Sequence, residues 1–320
     1  MLRTLRAIST QNLALALVAV SLFSEPTSAE SPAWPPPADH LTLAIWPGAA
    51  PGVQGTQSPE GDLTTAKDGN VGGQSVFRLG NVSIPTVTLY SPQGKNTGAA
   101  IVVFPGGSYR ILAIDLEGSE VCNWLSSVGV NCLLLKYRVP DSGPYPTSSA
   151  AIQDAQRAVR FVRLHAAEWH IDPHKIGVLG FSAGGHLAAV ISNQFDRRLY
   201  DPIDAADNLS CRPDFAAVIY PGYLAMPNQN LELNPDIHPT SNTPPTFLLQ
   251  AENDPVHVEN VVTYFLALKK VKVSAELHVY AEGGHGYGLR RTDFPITNWP
   301  KTFEVWLGSI KILPAESGNY

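Results

Sequence analysis

Seven apolar runs of strand length, spaced by stretches of helical period, constrain this chain more than any other feature. The runs are VSIPTVTLY (82–90), GAAIVVFP (98–105), VNCLLLKY (130–137), KIGVLGF (175–181), FAAVIYP (215–221), PPTFLLQA (244–251) and SAELHVYA (274–281). Several are apolar without alternation, which means that both faces of those strands are covered. Between and after them lie helical patterns at 116–129, 149–169, 183–194, 257–271 and 297–313. Strands buried on both sides and joined by helices make a doubly wound, mostly parallel α/β sheet with helices on both faces. With 44% apolar and 16% charged residues in 320, the composition supports one sizeable core.

The two ends of this pattern are bounded differently. Arg3 and Arg6, the uncharged run Leu13 to Phe23, and the small residues Thr27, Ser28 and Ala29 follow the grammar of a secretory signal peptide over 1–29. The expected location is therefore periplasmic or secreted. That run is too short to cross a bilayer comfortably, and no second segment resembles a span. Residues 30–320 then form a single domain whose first part, about 30–75, is rich in Pro, Gly and Ser. It reads as an extended lead-in wrapping the surface. A formal charge of −6 with no basic cluster argues against a nucleic-acid partner. The three cysteines, Cys122, Cys132 and Cys211, define no disulfide framework. Cys122, in a helical pattern, and Cys132, in a strand pattern, are expected as small buried packers. The polar segment Leu224 to Pro244 interrupts the rhythm after a strand and is either a rim or small lid over a site or a plain surface loop.

GFSAGGH (180–186) sits where a buried strand meets a helix. A G-x-S-x-G in that context is a nucleophile elbow, in which a sharp turn lifts the Ser182 hydroxyl above the sheet. Strand and helix pass so closely there that side chains at positions 180 and 184 would collide. A serine needs a base and an orienting acid. On such a scaffold they follow in the order acid then histidine, each after a later strand. QAENDPVHV supplies Asp254 and EGGHGYG supplies His285, both just past a strand. Glu252 is the competing acid, and His186 and His257 are competing bases in helical patterns. Pro173 separates His170 from His174, so their spacing does not make a helical metal pair. No metal or cofactor is expected. The oxyanion donors are the N–H of Ala183 and one from PGGSYR, with Gly106 and Gly107 as candidates and Gly107 preferred.

With those residues in view, the chain resembles the α/β-hydrolases of the small-acyl esterase group, and within them bacterial acetylxylan esterases and xylanase-associated esterases. The resemblance runs from about Leu43 to the last helix. It rests on IWPGAAPG, VVFPGGSYRILAIDLEG, VCNWLSSVGVNCLLLKYRVP, DAQRAVRFVR, WHIDPHKIGVLGFSAGGHLAA, TPPTFLLQAENDPV and GGHGYG. It implies the α/β-hydrolase fold, Ser182, Asp254 and His285 as a triad, and hydrolysis of short acyl esters on carbohydrates such as acetylated xylan. Two positions depart from the pattern. Ser108 stands where many relatives carry a third glycine, and Asp115 stands where relatives often carry a histidine before the Glu117-Gly118 pair. Glu117 is expected to cap the following helix or to meet a sugar hydroxyl, and Trp46, Tyr109, Tyr223 and Trp299 are either sugar-stacking rings or core. A serine peptidase of the prolyl-oligopeptidase type shares the triad order, but Ala183 replaces the bulky aromatic often found after its nucleophile. A non-catalytic carbohydrate-binding protein that keeps the fold is the third reading.

Overall fold

A computed structural model describes residues 34, 38–52, 58–141, 148–227 and 231–314; the expected signal peptide lies outside them. The first strand, β1 (Leu41–Ala44), belongs to the lead-in, and β2 (Gly61–Asp62) and β3 (Arg78–Gly80) follow it. Then come β4 (Thr86–Tyr90), β5 (Ala100–Phe104), β6 (Ile111–Ala113), α1 (Glu120–Ser127) and β7 (Asn131–Lys136). The second half alternates: α2 (Ser149–Leu164), β8 (Ile176–Phe181), α3 (Ala183–Asn193), β9 (Ala216–Ile219), β10 (Thr246–Ala251), α4 (Glu259–Lys270), β11 (Ala275–Tyr280) and α5 (Trp299–Ser309).

Eight strands form one sheet in the order β1-β4-β7-β5-β8-β9-β10-β11. From β7 to β11 every neighbouring pair is parallel, while β4 runs against both β1 and β7. The sheet is doubly wound and mostly parallel, as the apolar runs require. In β5, β8 and β10 every residue is buried. Helices cover the two faces: Trp124 of α1 meets Trp299 and Phe303 of α5, and Asn193 of α3 donates to the Tyr264 hydroxyl of α4 at 2.8 Å. Aromatic side chains pack α5 onto the sheet, with Phe247 of β10 against both Phe303 and Trp306.

The lead-in is more structured than an extended wrap. Its β1 pairs with β4, and buried polar groups rivet it to α2 and its neighbourhood. Trp46 Nε1 donates to Asp154 at 2.8 Å, Arg157 Nε to the Ile45 carbonyl at 2.7 Å, and Arg138 to the Pro51 carbonyl at 2.6 Å. Further on, β2, β3 and β6 form a separate antiparallel sheet. Strands of two and three residues carry no readable period, so this sheet exists only because its partners meet in three dimensions. Its pleat sends Leu79 and Leu112 into the core and leaves Arg78 and Ala113, which are register partners, on the opposite side.

The cysteine expectation is corrected. Cys122 and Cys132 are both buried but form a disulfide, because α1 packs directly on β7 and brings their Cα atoms to 5.1 Å. Cys211 is free and buried. No helix of the described residues is long and apolar enough to cross a membrane.

Candidate active site

The turn at 180–184 is tight enough to dictate its residues. A Cβ at Gly180 would stand 1.9 Å from the Gly184 carbonyl oxygen, and one at Gly184 would stand 2.0 Å from the carbonyl oxygen of Phe104 in β5. Backbone, not side chain, is what each glycine makes room for. Ser182 pays with φ 52° and ψ −117°, a conformation rare for a residue with a side chain. Its hydroxyl thereby stands at the C-terminal edge of β8, at the head of α3.

Two loops from later strands converge on it. Asp254 lies in the turn after β10 with its side chain fully buried. One oxygen accepts from the Val256 N–H at 2.7 Å, and the other accepts from Gln250 at 3.1 Å and from His285 Nδ1 at 2.9 Å. His285 Nε2 is 2.9 Å from Ser182 Oγ. A carboxylate only accepts, so Nδ1 carries the imidazole proton and Nε2 is left to accept from the serine. Residues 182, 254 and 285, remote in sequence, form one hydrogen-bonded line.

The oxyanion candidates separate. The Gly106 N–H donates to Glu117 Oε2 at 2.7 Å, so Gly106 is corrected from a possible donor to an anchoring point. The N–H groups of Gly107 and Ala183 have no acceptor among the described residues, and both flank Ser182. Gly107 takes φ +135°, closed to L side chains. Ser108 and Tyr109 follow in the left-handed region, so the loop reverses without a third glycine. Glu117 is buried and caps no helix; its Oε1 accepts from the Tyr220 hydroxyl at 2.8 Å, which itself accepts from the Gly288 N–H at 3.0 Å. Burial raises the pKa of Glu117 and favours its neutral form, opposed by those bonds and by nearby His285. One carboxylate thus ties the oxyanion loop to the histidine loop.

The rival residues fall elsewhere. Glu252 is exposed at the end of β10, and its N–H pairs with the Tyr280 carbonyl. His257 is exposed in the turn before α4 with φ 73°, not in a helix. His186 is fully buried, bonded through Nδ1 to the Tyr109 hydroxyl at 2.7 Å, and burial lowers its pKa to about 4. His170 and His174 are exposed, and the described residues contain no cluster of three His, Cys, Asp or Glu placed for a metal. Trp46, Tyr109 and Trp299 are core side chains, and half-buried Tyr223 packs on Tyr109; none lines the cavity. The described part of 224–244 does not line it either, and Asn234 from this segment packs on His186.

The cavity beside Ser182 measures about 290 Å³. Its walls are Val71, Val76, Ile111, Ala113 and Leu116, with Arg78 at one side. Arg78 of β3 and Ile111 and Ala113 of β6 thus form part of the cavity wall, a role the lead-in pattern did not reveal. Two positioning residues were equally hidden. Asn253 Oδ1 accepts from the N–H groups of Gly283 and Gly284 at 3.1 and 2.9 Å, fixing the histidine loop. Arg290 spans Glu120, Asp115 and the carbonyls of Gln74 and Ser75. The only sequence signal for Asn253 was its place beside Asp254.

The BD-FAE family profile matches residues 87–220. An acetylxylan esterase of Xylanibacter ruminicola is 29% identical over 217 residues, covering 60% of this chain and 42% of that protein. Endo-1,4-beta-xylanase B of Butyrivibrio fibrisolvens is 28% identical over 229 residues, covering 66% of this chain and 36% of that one. The chain thus spans less than half the length of these two relatives. Among solved structures, an acetyl ester-xyloside bifunctional hydrolase from Caldicellulosiruptor lactoaceticus superposes with a TM-score of 0.66 at 31% identity. That match covers 85% of this chain and 97% of the other.

Proposed function

The chain belongs to the α/β-hydrolase superfamily, in its bacterial group of acetylxylan and xylanase-associated esterases, and on that premise we propose that it is an exported serine esterase removing acetyl groups from carbohydrate esters. The observation that carries the mechanism is the line Ser182–His285–Asp254, with 2.9 Å at each hydrogen bond.

Ser182 Oγ attacks the ester carbonyl as His285 Nε2 takes its proton. Asp254 holds the imidazole tautomer and stabilises the imidazolium. The oxyanion forms against the Gly107 and Ala183 N–H groups, where it needs no reorganisation of the loop. His285 returns the proton to the departing sugar alcohol, and water attacks the acyl-enzyme through the same base. Short acyl groups suit a cavity of about 290 Å³ with aliphatic walls, at the small end of ligand sites. The names of the relatives support a xylan-type alcohol. Export is supported by the leader pattern of 1–29 and by the Cys122–Cys132 disulfide, which persists in oxidising compartments.

Acetate release from acetylated xylo-oligosaccharides, beside aryl esters of increasing chain length, tests the assignment. Activity is expected to fall beyond butyryl. Ser182→Ala is expected to lose roughly 10⁴-fold or more in kcat and to resist labelling by a fluorophosphonate while remaining folded. A variant that keeps turning over esters, or a wild type that prefers long acyl chains, overturns the reading.

A further inference from the structure

A second concavity lies beside the cavity. On the far side of the turn Val71–Gln74 lies an open groove of about 770 Å³, lined by Gly72, Arg291, Thr292, Asp293, Phe294 and Asn298. Val71 faces the cavity and Gly72 the groove, so one turn separates the two. The histidine loop forms the other shared side. His285 and Gly286 line the cavity, and the same stretch of chain runs on into 291–298.

That shared wall is held fast. Arg290 donates to the carbonyls of Val71, Gln74 and Ser75 at 3.4, 3.0 and 2.9 Å, and its other nitrogens reach Glu120 and Asp115. The fit is close: a Cβ on Gly72 would stand 3.0 Å from Arg290 Cβ and 3.4 Å from the Arg291 carbonyl oxygen. The cavity and the groove therefore lie on either side of one braced turn, Val71 on one and Gly72 on the other.

The chemistry of the groove is mixed in a particular way. Phe294 keeps 37% of its surface exposed, and the exposed side chains of Arg291, Asp293 and Asn298 have no hydrogen-bond or ion-pair partner among the described residues. A guanidinium, a carboxylate and an amide around an aromatic face offer donors and acceptors at the rim and an apolar surface in the middle. A pyranose ring presents the same division, hydroxyls around its edge and C–H groups on its faces. An acyl chain would leave those polar groups unpaired, and a polyanion would meet Asp293.

We propose that this groove is a distal saccharide subsite, holding unacetylated sugar units of an oligosaccharide whose acetylated unit occupies the Ser182 cavity. The proposal rests on the carbohydrate-ester reading above and extends it from a monomeric ester to a chain. The test compares kcat/KM for acetylated xylose and acetylated xylotetraose in the wild type, Phe294→Ala and Asn298→Ala. The wild type favours the tetramer, and each variant lowers the tetramer-to-monomer ratio by about threefold to tenfold. In Ser182→Ala protein, unacetylated xylotetraose binds, and adding Phe294→Ala weakens its Kd by a similar factor. A wild type that deacetylates monomer and tetramer equally well, or variants that leave the ratio unchanged, overturns the subsite and leaves the esterase reading intact. A wild type that cleaves 4-nitrophenyl acetate but no acetylated saccharide of any length overturns both the carbohydrate reading and the subsite.

Discussion

Replacing Gly107 by alanine tests the oxyanion loop at its tightest point. The residue has φ +135°, and a Cβ there would lie 2.1 Å from the Ile111 carbonyl oxygen and 2.5 Å from Ile111 Cδ1. Atoms of this kind stay at least 3.0 Å apart, so the loop must retreat by about 0.9 Å or rotate the peptide. Ile111 cannot simply yield, since its own N–H and that of Arg110 both bond the Gly107 carbonyl. Either escape moves the Gly107 N–H away from the oxyanion, and losing one such donor costs about 10²–10³ in kcat. The backbone strain adds about 1–3 kcal/mol of destabilisation, a few degrees in Tm. The Ser182–His285–Asp254 line is built from other loops and stays formed. Steady-state hydrolysis of 4-nitrophenyl acetate well below the melting temperature, with circular dichroism and Tm alongside, makes the measurement. A folded Gly107→Ala protein with kcat within threefold of wild type would refute the role given to this N–H.

Glu117→Gln separates positioning from stability. An amide offers one acceptor where the carboxylate accepts from both the Gly106 N–H and the Tyr220 hydroxyl, so kcat should fall about tenfold on loss of one charge-assisted bond. Burial already disfavours the charged form, so Tm should change little; a fall in Tm that fully accounts for the lost activity would make the role structural only. The sign with pH follows: a carboxyl whose folded pKa is raised contributes most below its unfolded value and loses that contribution as pH rises through the folded one. The Gln variant lacks that slope. His186 acts in the opposite direction. Burial lowers its pKa from 6.5 to about 4, against a smaller opposing effect of Asp236. The unfolded chain therefore takes up a proton that the native state refuses, and about 3 kcal/mol of stability present above pH 6.5 is lost as pH falls to about 4. Denaturant titrations across that window should show a shallower decline in His186→Gln, and an identical slope would exclude the histidine as its source.

Much of this was legible in one dimension. Runs such as AIVVF and TFLLQA state that they are buried on both faces, and the order of strand, turn and helix places GFSAGG, ENDP and EGGHG at strand ends. What stayed illegible has short strands or acts through a partner. Asp115 could be seen to depart from the family pattern, but not that it accepts from the Phe77 N–H at 2.9 Å and from Arg290. Glu117 was visible as a helix-capping or sugar-facing acid, but not as the link between two loops. The Cys122–Cys132 bond needed α1 to lie on β7 before two packing residues became a pair.

Sequence alone determined the layered sheet and the chemical types at the site, because burial period and turn chemistry are local properties written every two to four residues. Tertiary structure alone decided which glycine N–H remains free and which short strands wall the cavity. Those outcomes depend on distances between segments that meet only in the fold, Gly106 with Glu117 and Arg78 with Ala113 among them. Only the packed backbone sets such distances, and no local preference encodes them.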